Sequence, residues 1–176
     1  MTAVLSAILG LYFAHAQSLD AVSAEMARRE MQRLLAPAGV ELVWNQGDRE
    51  VARAIVATFD DSCSIDTLPV HSSGDAAAIA LAESSVSSSG RVLPFFHVNC
   101  SRLIQTLTPA LQPLNLPLRR VVFGGALGRV MAHEVYHILS QRKDHDPTGV
   151  AKASFTLEDL TARQFEFEFP LMARAH

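Results

Sequence analysis

One stretch constrains this chain more than any other: Val130-Met131-Ala132-His133-Glu134-Val135-Tyr136-His137-Ile138-Leu139. His133 and His137 stand four residues apart. On an α-helix that spacing places both imidazoles on one face, one turn from each other. Apolar neighbours, and Pro117 at a favoured first-turn position, predict a helix over 118–139 with the motif near its end. Two imidazoles so held can share a zinc ion. Glu134, next to the first of them, can take a proton from a water at the metal's open position. The competing reading is an amphipathic core helix with two incidental histidines.

A catalytic zinc keeps three protein ligands and one open position, so a third group must come from beyond this helix. His145 is the best candidate, because Pro147 and Gly149 mark a loop that can turn back over the metal. Asp144 and Asp146 can ligate zinc too, or orient a histidine from behind. Glu158 competes for the third place from a last helix expected over 156–168, with Thr156 as its N-cap. Gly124, Gly125, Ala126, Gly128 and Ala132 make the main helix small. Small residues let a backbone approach a sheet or a second helix closely, which suits a central helix with its metal face at a cleft.

A length of 176 residues favours one domain with a real core. Hydrophobic residues at 49% and charged residues at 19% describe a folded globular chain. The net charge of −3 gives no nucleic-acid footprint. Residues 3–14 form an apolar run followed by Ala14-His15-Ala16-Gln17, the pattern of a secretory leader cleaved before Gln17, although no Lys or Arg precedes it. The run is short for a bilayer span, so no stable membrane span is expected once residues 1–16 are removed. An N-terminal helix, buried or membrane-associated, is the alternative. Cys63 and Cys100 are the only cysteines, and in an exported chain they are expected to form a disulfide.

The remaining chain reads as mixed α and β. A helix is expected over 19–35, with Ser18 as a possible N-cap and Pro37 and Gly39 at its end. Strands are expected at 40–45 and 51–59. Residues 60–75 read as a solvated acidic loop, with a calcium site among its aspartates less favoured, and His71 as a surface residue. Residues 76–83 are apolar and short, Ser84 to Ser89 is a serine-rich patch, and 91–99 is a strand. Pro94 argues for an edge position or a bulge there, and His97 for a packed side chain. Residues 101–111 read as a short helix.

Over residues 76 to 155 the chain resembles zincin metallopeptidases, closest to the metzincin and matrixin-like branch. His133, Glu134 and His137 match that family's two ligands and base, and His145 resembles its third histidine. The segment Ala80-Leu81-Ala82 resembles the edge strand that binds substrate in extended form. Three positions depart from the pattern: Tyr136 is bulky where matrixins have glycine, Lys143 stands at the usual third-ligand spacing, and Ala151 at the Met-turn methionine. The resemblance implies an α+β, zincin-like fold over 17–176, with a small mixed sheet, a long active-site helix and flanking helices. It implies an exported, monomeric zinc endopeptidase acting on peptide or protein substrates with no nucleic acid. The departures motivate a different class, a zincin-like binding or structural module without catalysis. A gluzincin-like site using Glu158 is a third reading.

Overall fold

Residues 7–14 of the apolar run near the N-terminus form an interior strand of the sheet. In the computed structural model, which describes residues 7–14, 19–44, 51–60, 63–69, 80–145, 154–163 and 165, Ala7–Ala14 forms β1. It lies parallel to β2 (Val40–Trp44) on one side and to β3 (Arg53–Phe59) on the other. The stretch read as the core of a leader therefore forms a strand here, the one that joins β2 to β3. This corrects the helical alternative. The physical reason lies in burial. An interior parallel strand with Leu9 and Leu11 buried and Ile8, Tyr12, Phe13 and Ala14 half-buried reads as a continuous apolar run, with the same hydropathy as the core of a leader. Leu9 and Leu11 are buried in the main core.

Between β1 and β2 runs α1 (Ala21–Leu35), which makes the crossover that two parallel strands require. Its N-cap is Asp20, whose carboxylate accepts from the backbone N–H groups of Val22 and Ser23, rather than Ser18, which lies outside the described residues. A short 3₁₀ turn with Pro37 closes it, and Gly39 takes a left-handed φ of 71°. The sheet is completed by β4 (Ala82–Val86) and β5 (Val92–Val98), in the order β2-β1-β3-β5-β4. The first four strands are parallel, and β4 is antiparallel at the edge. β5 is therefore interior, against the edge position that Pro94 suggested. The bulge reading fares better: the β4–β5 ladder shifts register between Ser84↔Phe96 and Val86↔Val92, the stretch that contains Pro94.

After β5 come α2 (Cys100–Leu111) and α3 (Leu116–Ser140). The Asn115 side chain caps α3 by accepting from Leu118 N–H, and Pro117 sits in the first turn as expected. Its small residues meet a second helix. A Cβ added to Gly124 would lie 2.5 Å from the Ser23 carbonyl oxygen of α1, and one on Gly128 would lie 2.6 Å from that of Ala27. Only glycine permits so close a crossing of α1 and α3. The last helix, α4 (Leu157–Thr161), is shorter than expected: Ala162 and Arg163 have already left it. Thr156 and Asp159 close a capping box at its start. The core is the space between the sheet and α1 and α3, filled by Leu11, Ile55 and Phe96 from the strands and by Met31, Phe123 and Leu127 from the helices.

Cys63 and Cys100 are joined in a disulfide, both fully buried, which ties the segment after β3 to the first residue of α2. Asp60, read as loop acid, accepts instead from the backbone N–H groups of Cys100 and Ser101 and so caps α2. The bridge is compatible with an oxidising compartment. No helix among the described residues is long and apolar enough to cross a membrane.

Candidate metal centre

The C-terminal half of α3 carries His133, Glu134 and His137, all buried. Local structure explains the pairing of the two histidines: one helical turn separates them, and His137 Nε2 lies 3.0 Å from His133 Nε2. The other ring nitrogen of His137, Nδ1, is 2.7 Å from the Arg142 carbonyl oxygen. A carbonyl only accepts, so Nδ1 carries the proton and Nε2 presents its lone pair to His133. Burial holds His137 below its ordinary pKa against the Arg142 hydrogen bond, and nearby His145 pushes the same way as burial. A neutral imidazole is the form that binds metal.

His145 arrives by the turn after the helix. Gln141 ends α3 with a left-handed φ of 56°, and its side-chain amide donates to the carbonyls of Val92 and Ile138. That anchor reverses the chain. The His145 ring then stacks on His133 with centroids 5.4 Å apart and meets His137 edge-on at 5.0 Å. One ligand nitrogen from each of the three rings lies within 4.8 Å of the others. Two nitrogens on a tetrahedral zinc stand about 3.3 Å apart, from bonds of about 2.05 Å. The helical pair is already near that spacing, so the donor set fits a metal ion that takes imidazole nitrogen.

The other candidates fall elsewhere. Glu158 is exposed on α4, outside the histidine cluster. Asp144 is exposed and also outside it. Asp146, Ala151 and His71 lie outside the described residues. His97, expected to be packed, is exposed on β5 and pairs with the Thr58 hydroxyl. Asp60, Cys63 and Cys100 also form a close group, but the two sulfurs are spent in the disulfide and cannot ligate as thiolates.

Glu134 is 3% exposed, and its Oε1 lies 4.0 Å from His133 Nε2. Its Oε2 accepts from the Ser84 hydroxyl at 2.6 Å. Burial pushes the carboxyl up to about 7, against the pull of the Ser84 hydrogen bonds and with added repulsion from Glu83. Such a group can hold or release a proton near neutral pH. Ser84 is the partner that sequence reasoning missed. It looked like part of a serine-rich patch, yet it belongs to edge strand β4. The strand itself starts at Ala82, later than expected, with Ala80 and Leu81 leading into it. All three line a cleft of about 700 Å³ with the histidines and Glu134. Phe155 was missed as well; its ring meets His133 edge-on at 5.5 Å and walls the same cleft. Tyr136 is fully buried, meets the His137 ring edge-on at 5.6 Å and does not line the cleft.

Comparison with protein-family models, with curated proteins and with solved structures gives no match.

Proposed function

We propose that this chain is a zinc-dependent endopeptidase of zincin-like, metzincin-related type. One observation carries the reading: three histidines converge beside a buried carboxyl poised near neutral pH, at a cleft bordered by the edge strand of the sheet. His133, His137 and His145 would hold the metal. A metal bound there supplies Lewis acidity, polarising a peptide carbonyl and making a neighbouring water more acidic. Glu134 accepts that water's proton and returns it to the leaving amine. The Ser84 hydroxyl keeps the carboxylate aimed while it waits. β4, the edge strand among the described residues, would offer its outer edge to an extended peptide, whose backbone can pair with it as an added strand.

The test is metal analysis together with cleavage of an unfolded protein substrate by the full chain, with and without a chelator. The expected result is about one zinc per chain and cleavage that a chelator stops. Glu134→Gln should keep the metal and lose activity on the order of 10²- to 10⁴-fold. Full metal occupancy with no cleavage by the native chain would instead define a binding module.

A further inference from the structure

The cleft has a second chemical feature besides the histidines. One wall comes from α2, which contributes Arg102 and Thr106, with Val130 of α3 beside them. Arg102 is half-buried. Its Nη1 donates to the Gln105 side-chain oxygen at 2.9 Å, a neutral acceptor. Among the described residues no carboxylate lies within ion-pair distance of it, whereas Arg28, Arg29, Arg33, Arg120 and Arg129 all have one. Arg142 and Lys143 add two cations at the rim, against Glu83 and Glu134 as the acids of the lining. A guanidinium is a planar fork of donors suited to a carboxylate, and partial burial strengthens that interaction.

Resting on the endopeptidase reading, we infer that Arg102 selects substrates that place a carboxylate beside the scissile bond. The carboxylate is either an Asp or Glu side chain or a free C-terminus. The neutral contact to Gln105 holds the guanidinium in place without satisfying its charge, so an incoming anion meets a preorganised partner.

The experiment uses the zinc-loaded full chain and amidated peptides that differ at one position beside the cleaved bond: Glu, Gln, Leu or Lys. Their affinities for the Glu134→Gln protein are measured by calorimetry, so recognition is read without turnover. Glu is expected to exceed Gln by about ten- to a hundred-fold, mainly in KM and Kd. Arg102→Gln should erase the difference and Arg102→Glu should favour Lys, with zinc content unchanged. Arg102→Lys, which keeps charge but not the fork, should retain only part of it. A matched pair with free and amidated C-termini separates the two sources of carboxylate. Cleavage of all peptides with equal KM would overturn this inference and leave the peptidase reading standing. Arg102-dependent binding of acidic peptides without any cleavage would do the reverse. The comparison of Glu with Gln peptides on the native chain decides the matter even if an Arg102 variant fails to fold.

Discussion

Arg129 and Glu134 sit on the same helix, both charged by nature and both buried, at 6% and 3% exposure. Their surroundings differ completely. Arg129 donates to Glu30 at 2.8 Å and to the carbonyls of Asp159 and Ala162 at 2.7 and 2.6 Å, and lies over the Phe165 ring. Its donors are met by a carboxylate and two carbonyls, so it pins α3 to α1 and to the α4 region. Glu134 has a hydroxyl and a row of imidazoles, and among the described residues no Lys or Arg pairs with it. A buried charge with a closed ring of partners holds a fold together. A buried charge left without an opposite is destabilised in its charged form, which is the condition for moving protons near neutral pH.

The largest expected effects are chemical. His133→Ala should abolish metal retention and with it hydrolysis, while Arg129→Met should leave the metal stoichiometry of the folded fraction intact. Metal analysis after gel filtration checks both, and a His133→Ala protein that keeps full metal would break the assignment. Next comes stability. Arg129→Met takes one of two arginines from the partly buried Glu30, which keeps Arg33, and removes the donors to the Asp159 and Ala162 carbonyls; it should destabilise the fold by about 3–5 kcal/mol in denaturant unfolding. His133→Ala in metal-free protein should cost much less.

Ser84→Ala should lower kcat about ten-fold, as expected for the loss of one hydrogen bond to a charged group. Ser84→Thr should rescue it, and metal content should not change. Because the Ser84 hydroxyl favours the ionised carboxyl, its loss should also move the acid limb of the rate profile to higher pH. An unmoved limb would mean that the hydroxyl is only packing.

The sign of a pH slope in metal-free protein also separates the two environments. Burial works to raise Glu30, but hydrogen bonds from Arg33 and Arg129 outweigh it, so its carboxyl is lowered in the fold. Its contribution is present above the ordinary value of 4.5 and is lost as pH falls below it. Glu134 runs the other way. With its carboxyl at about 7 in the fold against 4.5 when unfolded, the folded state binds the extra proton between those values, and stability falls as pH rises through that window. Glu134→Gln should therefore gain stability relative to the native chain above pH 7 and show no such gain below 4.5. Equal unfolding midpoints for the two chains across that range would remove the contrast.

What could be read in advance follows the range of the forces involved. His133 and His137 were legible because their relation is one helical turn, set by local geometry alone. His145 was legible because a polar stretch and turn residues free the chain to reverse just after the helix. Strands at 40–44 and 53–59 showed their apolar patterns, and the glycines of α3 announced a close helix crossing without naming its partner. The cysteine pair was readable as a bridge on the expectation of export.

The other features are relations between distant segments. Whether AILGLYFA is a leader or a central strand depends on β2 and β3 lying on either side of it, because hydropathy is the same in both cases. Pro94 could not show that β5 is interior, since its missing N–H matters only opposite a particular partner. Ser84 is one serine among several until the sheet edge is laid against α3, fifty residues further along the chain, and the hydroxyl meets Glu134. Arg129 is likewise only a charge on an apolar helix until α1 and α4 close around it. The sequence by itself determined the histidine pair and its helix, and made His145 the favoured third member of the group, because spacing and turn chemistry act over a few residues. Only the tertiary structure decided which buried charge is satisfied and which is left reactive, because that depends on partners the chain brings together across its whole length.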